Sequence, residues 1–359
     1  MRNVKFKNFL FDVNRLIDSN QIRSLCINKL YKLTNKQFSI NYFDSVESEI
    51  MIKAISHLET TQHSTHDSTT EIFWIDGALF NIDVPFPPFC SKDYTGYFFQ
   101  AYFEDDYMIC SKRLDQYFAS IYDKKRKRGV MISNSYSQLN IHEQAAPFMN
   151  IFHWILNTDN WAIAHSAVIS YQRSGLMIIG NSGAGKSTTA FSTLSTKYIN
   201  LLCDDKCLIN PYHLNAISIY NSIKINQDML NILPEFKQIL TSVENPLVGS
   251  KMLGFAFPFF KDRFCLETNI CGIIMPIKNK CLKPKIVKAE SKAEFFKALG
   301  VSTSFWFTNT SAKNYNSLAK IVRRLPCYYL YLSENLIENA ELIEIFLLKL
   351  SKEKTNPIS

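Results

Sequence analysis

The sequence lacks the features that mark membrane-spanning, secreted and zinc-binding proteins. No stretch approaches the ~20 apolar residues of a membrane-spanning helix. Residues 1–17 intersperse charges among apolar positions and show no small-residue cleavage site, so we expect no secretory signal. The nine cysteines are scattered, and none forms a C-x-x-C pair or a zinc-type spacing. We therefore expect buried or half-buried thiols in a cytoplasmic protein that does not contact a membrane.

Positive charge is concentrated in one short run. The net charge is +8, and residues 124–128 (K-K-R-K-R) supply five of the positive charges. A uniformly basic surface is not indicated and no base-reading module is found, so we expect no nucleic-acid partner. The run could form an anion or RNA patch. Because Asp123 and Gly129 are turn residues between two apolar segments, we favour a solvated hairpin tip.

The first part of the chain is expected to be a β-rich or mixed domain covering residues 1–140. A length of 359 residues is compatible with two domains. Short strands are predicted at 71–75, 78–82, 96–103 and 107–110. His63 and His66 lie in a polar loop with no third ligand nearby, so we interpret them as solvated. We find no catalytic constellation in this half.

The second domain, residues 141–359, alternates predicted strands and helices, which is typical of an α/β nucleotide-binding core. Strands are predicted at 161–169, 176–179, 200–203, 216–220 and 270–275. Helices are predicted at 147–156, 187–194, 226–232, 292–299, 314–324 and 338–350.

A phosphate-binding P-loop follows the apolar run 176–179. Residues 180–187 read G-N-S-G-A-G-K-S, and such glycines let the backbone N–H groups turn toward phosphates. The expected nucleotide contacts are Gly180, Asn181, Ser182, Gly183, Ala184, Gly185, Lys186, Ser187 and Thr188. Lys186 would reach the β- and γ-phosphates of ATP, and the Ser187 hydroxyl would hold Mg²⁺. The alternative is a loop without a ligand, and the strand–loop–helix context argues against it.

Two carboxylates and one histidine accompany this loop. Asp204 and Asp205 follow Lys186 by one helix and one short strand, so they could return beside it. One carboxylate could hold the metal and the other could accept a proton from an attacking hydroxyl. A simple Asp-Asp-Lys turn is the alternative. His165 lies on the preceding strand, where it could face the phosphates or be a buried core histidine.

These segments together resemble the HPr kinase/phosphorylase family, which shares its fold with phosphoenolpyruvate carboxykinase. The similar strings are A-H-S-A-V-I-S at 164–170, the P-loop region at 175–190 and L-L-C-D-D-K-C-L-I at 201–209. The resemblance covers roughly 162–332 and is strongest around the loop. Within the family, the chain looks most like the branch that includes the kinases of lasso-peptide clusters and many unassigned relatives. It implies that Asp204 takes the hydroxyl proton, that Asp205 helps to hold Mg²⁺, and that His165 sits behind the pair.

The resemblance implies an ATP- and Mg²⁺-dependent kinase that acts on a Ser or Thr hydroxyl of a peptide or protein. Thr188 stands where true HPr kinases usually have an acidic residue, and the HPr-binding signature is not found, so HPr itself is not the expected acceptor. A hydroxylated small molecule and a non-catalytic nucleotide switch remain as alternatives. Lys224, Lys251 and Arg263 are candidates for a charge-stabilising cation. The family also implies a homo-oligomer.

Overall fold

The protein is described by a computed structural model that covers residues 2–62, 69–95, 100–113, 117–240, 251–281, 283–304, 307 and 311–355. Its chain divides into two compact units, Met1–Ile155 and Leu156–Ser359. Both are mixtures of helices with strands that pair in parallel and antiparallel fashion.

The first unit begins with helices, and its strands follow. Its helices are α1 (Arg2–Ile17), α2 (Asn20–Arg23), α3 (Val46–Ile52), α4 (Gly77–Phe80), α5 (Ile141–Ala145) and α6 (Met149–Leu156), which ends at the first residue of the second unit. Its strands are β1 (Cys26–Leu33), β2 (Lys36–Phe43), β3 (Thr70–Asp76), β4 (Gln100–Glu104), β5 (Met108–Arg113), β6 (Phe118–Asp123) and β7 (Arg128–Ser133). The described strands form one sheet in the order β1-β2-β3-β7-β6-β5-β4.

Helix α1 covers one face of this sheet. Its apolar residues recur at helical spacing, and Phe6, Phe9, Val13 and Ile17 are all buried. They share an apolar cluster with residues of β3, β5, β6 and β7. The amphipathic start of the chain therefore completes the core of the first unit.

The unit boundary lies after Ile155, whereas the sequence placed a domain boundary after residue 140. Helix α6 packs on the first unit's sheet. A Cβ atom on Gly129 of β7 would lie 2.5 Å from the Ile151 side chain, and the Phe38 and Phe152 rings meet edge to face at 5.1 Å. Glycine at position 129 makes this close approach possible.

The prediction of a strand at 78–82 is wrong, because residues Gly77–Phe80 form helix α4. The buried Asp76 side chain accepts hydrogen bonds from the backbone N–H groups of Ala78 and Leu79, which caps the first turn. Asn81 ends the helix in the left-handed region with φ 52°. The predicted strand 96–103 is described only from Gln100, where β4 begins, and His63 and His66 lie outside the described residues.

The basic run 124–128 forms the turn between β6 and β7, as predicted. Its last residue is not solvated. The Arg128 side chain is 7% exposed and forms ion pairs with Glu71 at 2.9 Å and Asp18 at 3.0 Å. Among the predicted buried or half-buried thiols, Cys90 is exposed.

The second unit contains the P-loop. Its helices are α7 (Lys186–Ser192), α8 (Gln227–Ile232), α9 (Ala256–Phe259), α10 (Ala293–Ser304), α11 (Ser311–Arg324) and α12 (Leu336–Thr355). Its strands are β8 (Ala162–His165), β9 (Ala167–Tyr171), β10 (Ser174–Ile178), β11 (Asn200–Cys203), β12 (Lys206–Ile209), β13 (Asn215–Ser218), β14 (Ser222–Asn226), β15 (Lys251–Phe255), β16 (Glu267–Cys281), β17 (Lys285–Lys288) and β18 (Cys327–Ser333).

The P-loop follows the carboxyl end of β10 in the main sheet of this unit. The described strands of that sheet run β11-β9-β10-β16-β13-β12-β8, with β18 on β16 and β17 on β18. Strands β10 and β18 each pair in parallel with β16, whereas the other pairs are antiparallel. Strand β10 ends with Ile178 opposite Ile274, and β16 and β18 continue beyond that level to Cys281 and Ser333. The loop therefore follows the carboxyl end of a parallel strand, a place where ligands of α/β proteins commonly bind.

Successive side chains of β10 point to opposite faces of the sheet. Leu176 and Ile178 join a buried cluster with α7 and α12, whereas Met177 joins a second cluster with α10 and α11. The P-loop strand is thus buried on both faces.

Most of the strands and helices predicted for this unit are present, with shifted ends. The strand predicted at 161–169 is divided at Ser166 into β8 and β9, which pair with different strands. In the described part of the chain, no helix is both long enough and apolar enough to span a membrane.

Candidate active site

The P-loop is a tight turn between β10 and α7. Gly183 has φ +78° and Gly185 has φ +96°, in the region that residues with side chains rarely adopt. Apart from its chain neighbours, no described residue has an atom within 4 Å of the position that a Cβ on Gly183 would occupy, so this glycine is required by backbone conformation alone. A Cβ on Gly185 would contact the Leu332 side chain at 3.5 Å.

Lys186 is held against the same loop. Its Nζ atom donates to the backbone carbonyls of Gly180 at 2.8 Å and Asn181 at 3.3 Å. Burial lowers the pKa of Lys186, and the charges of Asp205 and Asp204 oppose that effect. The lysine therefore lies between the loop and the acidic pair.

The acidic pair is brought to the loop by strand register. Asp204 and Asp205 form the bend between β11 and β12. Strand β12 is antiparallel to β8, with Lys206 opposite His165. This register places His165, the last residue of β8, beside the carboxylates that follow the loop.

Asp205 is surrounded by three basic groups. Its Oδ1 atom lies 3.0 Å from His165 Nε2, and its Oδ2 atom lies 2.8 Å from Lys224 Nζ and 2.5 Å from Lys206 Nζ. Burial by itself would raise the pKa of Asp205, but Lys206, Lys224 and His165 together hold it well below the ordinary range. Asp205 is therefore an ionised carboxylate whose oxygens are already occupied by cations.

Asp204 has the opposite environment. It is 3% exposed, and its Oδ2 atom accepts a long hydrogen bond of 3.4 Å from the Lys224 backbone N–H. Burial raises its pKa, the Asp205 charge raises it further, and an interaction with the Ser187 hydroxyl lowers it in part. Among the described residues, none is a hydrogen-bond partner for its Oδ1 atom. Two adjacent carboxyl groups with pKa values shifted apart are typical of acid–base assignments.

His165 connects the site to the end of helix α10. Its backbone N–H donates to Thr303 Oγ1 at 3.0 Å, and its Nδ1 atom lies 3.3 Å from the Ser302 carbonyl oxygen. Burial lowers the pKa of His165, against the opposing effect of Asp205. We assign the neutral tautomer with its proton on Nε2, because this nitrogen faces the Asp205 carboxylate, which is a stronger acceptor than the Ser302 carbonyl. In this tautomer Nδ1 carries no proton, so its approach to the Ser302 carbonyl is not a hydrogen bond.

The three candidate cations occupy different places. Lys224, on β14, is buried and contacts Asp205 directly. Lys251, on β15, is exposed. Arg263 donates to the backbone carbonyls of Ile199 and Thr196, so it fixes the chain between α7 and β11 and does not extend toward the carboxylates.

The residues of the loop and the acidic pair fit a magnesium ion on the side of Asp204. A buried carboxylate oxygen without a partner and a neighbouring serine hydroxyl are oxygen ligands of the kind that Mg²⁺ takes, together with phosphate oxygens. The sequence assigned the metal to Ser187 and Asp205, but the cations around Asp205 make that carboxylate the poorer ligand. No group of three or more His, Cys, Asp or Glu side chains that could hold a metal occurs in the described part of the chain.

Sequence reasoning missed Lys206 and the end of α10. Lys206 is 2% exposed and stands in the apolar segment C-D-D-K-C-L-I, where a buried charge signals a specific partner. Thr303 and Ser302 carry no such signal, because a contact with His165 depends on how α10 packs.

No protein-family model matches the chain, and a comparison with curated proteins finds no match. The resemblance to the HPr kinase/phosphorylase family is therefore a prediction from the motifs alone.

Proposed function

We propose that the second unit is an ATP- and Mg²⁺-dependent kinase of the HPr-kinase-like type, which transfers the γ-phosphoryl group to a Ser or Thr hydroxyl of a peptide or protein. The observation that carries the proposal is the environment of Asp204. A buried carboxyl group with a raised pKa lies beside the P-loop serine and keeps one oxygen without a partner among the described residues.

Asp204 would act as the proton acceptor. A serine or threonine hydroxyl attacks phosphorus poorly until its proton has an acceptor, and a carboxylate with a raised pKa accepts a proton better than an ordinary one. The hydroxyl oxygen would form the new bond to the γ-phosphorus while the bond to the departing ADP oxygen breaks. The hydroxyl proton would pass to the Asp204 carboxylate.

The charges around the loop favour a polyphosphate. Three buried lysines, Lys186, Lys206 and Lys224, face two carboxylates, Asp204 and Asp205. When all five are ionised, the cluster carries one excess positive charge, which suits binding of the triphosphate of a nucleotide. Lys186 would move from the loop carbonyls to the phosphates.

Mg²⁺ would neutralise phosphate charge and orient the nucleotide when bound. Ser187 and Asp204 are the residues that would hold it directly or through water. Asp205 would keep Lys224 and His165 in position. Binding of the metal by Asp204 competes with proton acceptance, so a water-mediated contact is the arrangement that allows both roles.

Two variants test this assignment by thermal unfolding with and without Mg·ATP. A ligand at a hundredfold excess over its Kd stabilises by about 2.7 kcal/mol. We expect this shift in the wild type, in Asp204→Asn and in the exposed-lysine control Lys197→Ala, and we expect Lys186→Ala to lose most of it. If Lys186→Ala bound Mg·ATP as the wild type does, the P-loop assignment would fail.

Phosphoryl transfer is measured separately, with γ-labelled ATP and a panel of Ser- and Thr-containing peptides and hydroxylated metabolites. Asp204→Asn should reduce transfer by about 10²–10⁴-fold while it still binds nucleotide. Transfer to the metabolites alone would change the acceptor from a peptide to a small molecule. Mg·ATP binding with no transfer to any acceptor would favour the nucleotide-switch alternative.

A further inference from the structure

Strands β14 and β15 form a two-stranded antiparallel ribbon beside the acidic pair. Lys224 lies opposite Leu253, and Asn226 lies opposite Lys251. Residues directly opposite each other in antiparallel strands share a face, and so do residues two apart on one strand. Lys224 and Lys251 therefore stand on the same face of the ribbon as diagonal neighbours.

The opposite face of the ribbon is committed to the core. Ile223 and Ile225 belong to the buried cluster of the second unit, and Met252 packs against that cluster. The face with Lys224 and Lys251 is thus the one turned toward Asp205, because Lys224 Nζ contacts Asp205 Oδ2 at 2.8 Å. The pairing of β14 with β15 places Lys251 on this face, and this placement does not depend on any argument from charge.

Lys251 also lies within electrostatic reach of the P-loop lysine. Burial is the main cause that lowers the pKa of Lys186, and the positive charge of Lys251 contributes in the same direction, ahead of that of Lys224. Lys251 is exposed, and it makes no ion pair with the residues that the structure describes. An exposed cation that is the diagonal neighbour of Lys224 and within electrostatic reach of Lys186 is well placed to bind an anion.

We propose that Lys251 is a second phosphate-binding lysine, positioned by β15 to contact the terminal phosphoryl group of the nucleotide that Lys186 and the P-loop bind. Lys186 would contact the terminal phosphoryl group from the loop, whereas Lys224 is paired with Asp205. Lys251 approaches from the solvent side, where the group leaves for its acceptor. This inference rests on the proposed kinase function for the identity of the phosphate donor.

The proposal is tested with inorganic tripolyphosphate and with the full chain. Lys251→Met removes the charge and keeps the length of the side chain. Lys237→Met is the matched control, since Lys237 is another exposed lysine of the same unit. By isothermal calorimetry at low salt, Lys251→Met should weaken tripolyphosphate binding about tenfold, and Lys237→Met should leave it unchanged.

Phosphoryl transfer provides the second readout. Lys251→Met should lower kcat/KM at least tenfold, and Lys251→Arg should restore part of the loss because it restores a cation. Equal behaviour of Lys251→Met and Lys237→Met in both measurements would overturn the proposal. If the wild type transfers no phosphate at all, the kinase function fails, and the tripolyphosphate measurement alone then decides the role of Lys251.

Discussion

The same substitution at two adjacent positions, Asp204→Asn and Asp205→Asn, is expected to change stability in opposite directions. Asp205 balances three basic groups, since His165, Lys206 and Lys224 lie within 3.0 Å of its oxygens. Asp204 is buried beside that charge, and burial and Asp205 raise its pKa. One carboxylate therefore stabilises the fold, whereas the ionised form of the other destabilises it.

The size of the first effect follows from the burial of the lysines. Lys206 and Lys224 are 2% and 7% exposed, so Asp205→Asn leaves two buried ammonium groups without their carboxylate. Removing one partner of a buried ion pair costs about 3–5 kcal/mol, and a unit of this size loses about 2–4 °C in Tm per kcal/mol. We expect Asp205→Asn to lower the Tm by about 6–20 °C. Asp204→Asn should leave the Tm unchanged or raise it.

The pH dependence has a definite sign for each carboxyl group. Because the folded-state pKa of Asp204 is raised, the folded chain binds its proton more tightly than the unfolded chain, and the ionised group destabilises as pH rises through that pKa. The advantage of Asp204→Asn over the wild type should thus be absent below the ordinary value of 3.8 and should grow as pH rises above it. The pKa of Asp205 is lowered, so its contribution is complete above the ordinary value of 3.8 and is lost as pH falls below it.

The assay is differential scanning calorimetry of the full chain in buffer free of metal and nucleotide. Arg128→Met, in the first unit, identifies the transition of that unit if two transitions are seen. The reasoning is refuted if Asp204→Asn lowers the Tm as much as Asp205→Asn does. It is equally refuted if both variants melt as the wild type does, since the two buried lysines could not then depend on Asp205.

Two further variants test the structural roles of arginines. Arg263→Ala removes hydrogen bonds to the carbonyls of Ile199 and Thr196. It should lower the free energy of unfolding by about 1–3 kcal/mol and leave the kcat of transfer unchanged. A lower kcat at unchanged stability would show instead that Arg263 takes part in transfer. Arg128→Met removes the buried guanidinium that pairs with Glu71 and Asp18. Because those carboxylates are 36% and 40% exposed, the loss should be about 1–3 kcal/mol. Lys125→Met at the exposed turn removes only a contact with the Tyr107 ring and should cost less than about 1 kcal/mol, so equal losses would contradict the burial argument.

The sequence predicted the strand, loop and helix around residues 180–187 correctly, because local signals suffice there. The apolar run before Gly180 becomes β10, and the residues from Lys186 onward become α7. The backbone conformation of Gly183 and Gly185 is one that their lack of a Cβ atom allows. The pattern failed at 78–82, where alternating apolar residues looked like a strand. The Asp76 side chain accepts hydrogen bonds from two backbone N–H groups, and a helix begins there instead.

The sequence could not show which of Asp204 and Asp205 has the raised pKa and which pairs with the basic groups. Adjacent aspartates look identical in a string of letters, and their difference comes from groups far along the chain. Lys224 lies on a separate ribbon, and His165 arrives through its register with Lys206. Both contacts depend on strand pairing over long sequence separation, which local patterns do not encode.

The sequence by itself determined that this protein has a P-loop in an α/β setting, followed by an acidic pair, because glycine conformation and apolar runs act over a few residues. Only the tertiary structure decided which carboxylate is held ionised, which one keeps an oxygen without a partner among the described residues, and which lysines surround them. Charge and burial are properties of a three-dimensional neighbourhood, and here that neighbourhood is assembled from β8, the bend after β11, β12 and β14.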